Sequence, residues 1–276
     1  MTQGKKFISP QAWFSMFYPV DWNEFEDGEG TFLFYNPDVW TGNFRISAYK
    51  DDSSKAGRAN NYGKEVIEQE LRQNASASIV KVGELTCAYS QEMFEENETE
   101  YTHHVWVTGI DNVAFECSFT TPQGADVREA EFIIASLSVR EDGAKYPAEL
   151  IPIRISEICL VNEAYEWTVT LIKNELKKDF QGAEEDLPKI QQLIDAGAIG
   201  AKKKDEWLAI GITICVILLN EIEGLEWMTL IDGNREVPVL QYKENKKMID
   251  PLRLAWSKIK AGETCNVEEA YKNALV

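Results

Sequence analysis

Five glutamates, Glu92, Glu95, Glu96, Glu98 and Glu100, stand just ahead of the histidine pair His103 and His104, and these are the side chains of the sequence best suited to chemistry. Two neighbouring carboxylates can serve as general acid and general base, provided one is desolvated so that its pKa rises. These five lie in the polar connection between two predicted strands, where water keeps them ionised. They read first as a solvated hairpin tip. A docking patch for a basic partner, carried by Glu95, Glu96, Glu98 and Glu100, is the second reading, and calcium binding or catalysis the third. Adjacent residues of a strand point to opposite faces of the sheet, so His103 and His104 cannot readily grip one metal ion. A structural or exposed role is the reading for both.

The remaining motifs carry less. Cys87, Cys117, Cys159, Cys215 and Cys265 are odd in number, scattered and never paired as Cys-x-x-Cys. Reduced thiols fit that pattern and zinc ligation does not. The stretch from Gly57 to Glu65 has the wrong glycine spacing for a phosphate loop, and Glu65 stands where Ser or Thr should hold magnesium. Gly28 and Gly30, flanked by acids, would repel phosphate and read as a turn. No Gly-x-Ser-x-Gly turn supports a nucleophilic serine. Trp22 and Trp227 read as core plugs ahead of ligand platforms. No catalytic residue, cofactor site or metal ligand is assigned.

Composition narrows the partners. Among 276 residues, 46 acids outweigh 28 bases for a formal charge of −18. Such a chain repels both phosphate backbones and anionic lipid, so neither nucleic acid nor membrane is an expected partner; a basic protein surface is. The first ten residues include Lys5 and Lys6 but no apolar stretch of signal-peptide length, and the expected location is the cytoplasm. The apolar run Trp207 to Leu219 is too short to span a bilayer and reads as a buried helix.

Hydrophobic rhythm divides the elements that must position these residues. Up to about Arg140 the apolar residues mostly alternate at period two; beyond Pro152 they recur at three and four. Two domains follow, 1–145 and 153–276, with 141–152 as the linker. The first reads as three strands (Phe14 to Tyr18, Thr31 to Tyr35, Phe44 to Lys50) and a helix carrying Tyr62, Val66, Ile67 and Leu71. Four strands come next, near 79–84, 86–94, 101–109 and 113–120, and then a helix with Val127, Ile133, Ile134 and Leu137. The second reads as amphipathic helices around Trp167 and Ile190, the apolar helix, and a hairpin turning at Asp232-Gly233-Asn234. Short helices started by Asp250-Pro251 and by Asn266 with Glu269 close the chain. The fold class is α+β with a mostly antiparallel sheet, followed by a mainly helical domain with a β-hairpin.

Phe14, Tyr18, Pro19 and Trp22, followed by the strand Phe32 to Tyr35, give the first half a resemblance to the PsbP-like superfamily. That resemblance implies an α/β/α sandwich about an antiparallel sheet. It also implies a noncatalytic binding module, since superfamily members include a photosystem extrinsic subunit and a nuclear-transport factor that binds a small GTPase. It transfers no binding residue. The second half, through Gly211, the turn Gly224-Leu225-Glu226-Trp227, the hairpin to Tyr242 and the closing helices, resembles an uncharacterised bacterial domain family without established activity.

Three functional classes stay open. An interaction or accessory protein, including an immunity-type inhibitor of a toxin, suits the acidic charge and the lack of catalytic motifs. An enzyme using carboxylates from a cleft between the domains is the second class, and a structural assembly subunit the third. The sequence leaves the oligomeric state open.

Overall fold

A computed structural model of the chain describes residues 4–26, 30–51, 61–141, 143–233 and 235–275. The acidic turn at 27–29, the loop 52–60 that begins the phosphate-loop-like stretch, and Asn234 of the second hairpin lie outside the described residues. The chain divides into two compact units, Met1–Tyr146 and Pro147–Val276. The fold is α+β, and every strand pairing among the described residues is antiparallel.

The first unit opens with β1 (Gly4–Ile8), β2 (Phe14–Pro19), β3 (Asn23–Glu26), β4 (Thr31–Tyr35) and β5 (Asn43–Lys50). After α1 (Tyr62–Gln73) come β6 (Ser78–Val82), β7 (Leu85–Glu96), β8 (Thr99–Ile110), β9 (Val113–Pro122), α2 (Arg128–Ala135) and the two-residue β10 (Ser138–Val139). Seven strands form one sheet in the order β3-β4-β5-β9-β8-β7-β6, and β1-β2-β10 form a second. Alternation sets the faces of the large sheet: in β9, Val113, Phe115, Cys117 and Phe119 are buried while Glu116 is exposed.

One face of the large sheet packs into an aromatic core shared with the small sheet and α2. Phe7, Phe14, Phe32, Phe34, Trp106 and Phe115 lie in it. Phe7 meets Phe34 edge to face at 5.3 Å, and Phe14 meets Phe115 likewise at 5.3 Å. Each such pair adds about 0.5–1.5 kcal/mol beyond area burial. Trp22 is 0% exposed in this core, which is the plug its sequence context suggested. The other face carries α1, where Ile67 packs with Ala88 and Val107. Gly63 and Gly109 permit that approach: a Cβ on Gly109 would lie 2.2 Å from the Gly63 Cα.

This arrangement differs from the sequence reading in its first third. Five strands, not three, precede α1, and the strand at Phe14 belongs to the small sheet. β1 reads Gly-Lys-Lys-Phe-Ile and β3 reads Asn-Glu-Phe-Glu, so charged residues hide the alternation in both. The layer opposite α1 is shared by the small sheet and α2. Val127 and Leu137 flank α2 without belonging to it.

The second unit begins with β11 (Glu149–Pro152), so the end of the segment read as linker is a strand paired with β12 (Leu225–Asp232). Between them run α3 (Ile155–Leu176), α4 (Leu187–Asp195) and α5 (Lys204–Glu221). β13 (Arg235–Tyr242), β14 (Met248–Ile249), α6 (Pro251–Lys260) and α7 (Val267–Leu275) follow, and β11-β12-β13-β14 make one sheet. α5 is apolar on all sides because it is packed on all sides, with Trp207, Ile210, Ile214 and Leu218 buried. No helix among the described residues is long and apolar enough to cross a membrane.

A Cβ on Gly211 would lie 1.9 Å from the Pro251 carbonyl oxygen, so glycine is what lets α5 meet the start of α6. That start is capped by Asp250, whose Oδ1 accepts the Leu252 N–H at 3.1 Å. Asn266 accepts the Glu269 N–H at 2.9 Å and starts α7 in the same way. Trp227 is only partly buried and packs at the rim of the core, whereas Leu225 is the buried residue of the Gly-Leu-x-Trp turn.

Candidate interaction site

The glutamates sit on a long hairpin. β7 and β8 are each 12 residues, joined by Asn97 and Glu98 with φ of 50° and 62°. Two successive left-handed residues make the tight turn whose twist matches paired strands, and Asn tolerates that conformation well. The partners of the hairpin run out before its tip. β6 pairs with β7 only as far as Tyr89, and β9 pairs with β8 only from Tyr101 onward. Gln91 through Glu100 are therefore exposed without interruption.

Glu95 stands directly opposite Glu100 in the register, and Glu96 opposite Thr99. A facing pair of like charges weakens a hairpin, so nothing in the fold of this tip calls for these acids. The strands also display apolar surface there. Met93 is 66% exposed and Phe94 39% exposed. Phe94 stacks on Tyr101 at 5.5 Å, and Tyr101 meets Trp40 edge-on at 6.0 Å. Trp40, Thr41, Pro122 and Phe132 wall a cleft of about 620 Å³ beyond this row.

At the base of the hairpin, on the α1 face, Glu92 lies opposite His103 and both line a polar groove of about 360 Å³ with Glu70, Glu116 and Ser90. The His103 ring nitrogen Nδ1 is 2.8 Å from the Thr120 hydroxyl. His104 points the other way, its Nδ1 2.7 Å from the Tyr89 hydroxyl and its ring clustered with those of Tyr89 and Trp106, which also meet each other at 5.2 Å. Burial, then the neighbouring His103, holds the His104 pKa below its ordinary value, so that imidazole is neutral at pH 7. The two histidines occupy opposite faces, as strand alternation requires. Among the described residues no group of three His, Cys, Asp or Glu side chains is placed to hold a metal ion.

The cysteines are all free. Burial pushes the thiols of Cys87, Cys117, Cys215 and Cys265 up, which keeps them protonated and unreactive.

A different carboxylate cluster, unread in the sequence, lies inside the second unit. Arg154, 1% exposed, donates to both Glu157 oxygens at 3.0 and 2.7 Å and to Glu236 Oε2 at 2.7 Å. Burial would lower its pKa, but the two carboxylates more than offset that and hold the guanidinium charged. The sequence signal was only an Arg and a Glu three apart, a spacing shared with many surface pairs. Asp186 is likewise internal: Oδ2 accepts the N–H groups of Gln181 at 2.6 Å and Gly182 at 2.8 Å, while Oδ1 pairs with Lys189. Both clusters are saturated by partners of the chain itself, which makes them structural.

A family model described as Domain of unknown function (DUF3805) matches residues 2–162. The chain belongs to that family. A second, Domain of unknown function (DUF3806), matches residues 186–271, so this DUF3805 protein carries both. A crystal structure from Bacteroides thetaiotaomicron VPI-5482 is 66% identical, covering 99% of this chain and 98% of its own, with a TM-score of 0.93. Cyanobacterial PsbP (CyanoP) from Synechocystis sp. PCC 6803 is 13% identical over 51% of this chain and 94% of its own, with a TM-score of 0.29. LpqN, involved in cell envelope biogenesis of Mycobacterium tuberculosis, is 13% identical over 50% of this chain and 86% of its own, with a TM-score of 0.27. No curated protein matches the chain.

Proposed function

We propose that this DUF3805 protein is a noncatalytic interaction module of the cytoplasm, its first unit a PsbP-like domain, and that the β7–β8 hairpin docks a basic protein surface. An accessory protein or an immunity-type inhibitor is the kind of role that fits. The observation that carries the reading is the hairpin itself: Gln91 to Glu100 are exposed throughout, and they join glutamates to the apolar Met93 and Phe94. Solvated acids on a projecting tip steer a basic partner, and adjacent apolar surface gives the complex its short-range attraction.

Affinity capture from native lysate at low and high salt tests this. A defined basic partner recovered by the parent, and recovered less at low salt by the Glu96→Lys, Glu98→Lys double variant, is expected. Equal recovery by both proteins would remove the hairpin from the interface.

A further inference from the structure

We propose that the outward edge of β7, from Ser90 to Glu96, takes an extended segment of a basic partner as an added strand. This rests on the interaction reading above and states how the hairpin would bind. The pairing decides which backbone groups are free. The two-residue turn makes Glu96 and Thr99 the closing hydrogen-bonded pair, and alternation back along the strand turns Phe94, Glu92 and Ser90 toward β8. Gln91, Met93 and Glu95 then aim their N–H and C=O groups outward. The same parity directs Cys87 and Tyr89 to β6, which stops at Tyr89. Beyond that point the edge offers about 20 Å of strand, room for a segment of ordinary strand length.

The side chains along this edge describe its occupant. On the α1 face they run Ser90, Glu92, Phe94, Glu96, with Tyr101 beside Phe94; on the other face they run Gln91, Met93, Glu95. Apolar residues hold the middle and acids flank them. The complementary segment has apolar residues at its centre and Lys or Arg toward its ends. Charges on an edge strand also ward off unwanted pairing, and here they discriminate. A second copy of this chain would bring an equally acidic edge and a formal charge of −18. A basic segment meets no such barrier.

The test uses the full chain and a synthetic peptide, acetyl-Lys-Thr-Lys-Val-Ile-Lys-Thr-Lys-amide, with a twin N-methylated at alternate residues on its pairing edge. Amide exchange is followed residue by residue. Binding of the parent peptide should slow exchange at Gln91, Met93 and Glu95, whose protons lack a strand partner, while Glu92 and Phe94, already bonded to β8, change little. The twin should bind at least about tenfold more weakly. Met93→Pro removes one outward donor and spares the bonds to β8, so it should keep the parent melting point and lose peptide affinity. Equal binding of peptide and twin would show attraction by charge alone; it would overturn the edge proposal and leave the interaction reading standing. Absence of peptide binding, or of slowed exchange at saturation, would overturn it as well. A partner captured from lysate equally by parent and Met93→Pro would do so without touching the wider reading, which fails only when the hairpin plays no part in capture.

Discussion

Glutamate serves two opposite ends in this molecule. In the second unit, Glu157 and Glu236 close on a buried Arg154, and every strong partner is supplied by the chain. On the β7–β8 hairpin, Glu95, Glu96, Glu98 and Glu100 are all exposed to water, and Glu95 even faces Glu100. The contrast shows what distinguishes a structural acid from one free to act on something else. It is desolvation together with a partner fixed by packing, not residue type or local density of charge.

The largest expected effect lies on the buried side. Arg154→Ala leaves two carboxylates in the interior without their cation and should cost about 3–5 kcal/mol, read by chemical denaturation. Replacing the three charges together, as Arg154→Met with Glu157→Leu and Glu236→Leu, should recover most of that loss, because no uncompensated charge then remains. A triple variant as unstable as the single one would mean that the cluster's hydroxyl partners, Ser156 and Thr229, matter more than its charges.

Gly211→Ala comes next. Its Cβ would meet the Pro251 carbonyl, and the strain of parting α5 from α6 should cost about 3 kcal/mol despite the better helix propensity of alanine. A melting point equal to the parent's would break the close-approach argument.

Asp186→Asn should cost about 1.5 kcal/mol at pH 7, as expected for charged hydrogen bonds to Gln181, Gly182 and Lys189. Burial would raise the Asp186 pKa, but the Lys189 and backbone bonds outweigh it and hold the carboxyl below its ordinary value. A lowered native pKa gives stability that is fully present above the unfolded value, about 3.9, and is lost as pH falls through the native one. The difference between parent and variant should therefore shrink as the medium is acidified below about pH 4. A difference that stays constant with pH would assign the effect to shape alone.

The smallest stability effect belongs to the hairpin. Glu96→Lys with Glu98→Lys should shift unfolding by less than about 0.5 kcal/mol, while slowing association with a basic partner at low salt and less at high salt. A large loss of stability would erase the distinction between the two clusters.

Much of the scaffold could be read from local pattern. The alternation of Val113 to Thr120, the stripe on α1, the apolar α5, the caps at Asp250 and Asn266, and the hairpin at Asp232-Gly233 all leave their mark within a few residues, because backbone period and cap chemistry are local. The glutamate tip was legible for the same reason. β1 and β3 were not, since lysines and glutamates interrupt their alternation.

What the sequence determined by itself was the class of each segment: sheet-rich to about Arg140, helix-rich after Pro152, acidic overall, and turning somewhere between Phe94 and Tyr101, while the tight turn at Asn97-Glu98 emerged only with the strand pairing. Tertiary structure alone decided who meets whom. It put Phe14 in the small sheet, brought Glu236 to Arg154 across 82 positions, and ended β6 at the level of Tyr89, so that the rest of β7 has an open edge. Local periods are set by bond geometry over a few residues, whereas strand partners and buried charge pairs are chosen by burial of the whole chain. No spacing along the sequence records that choice.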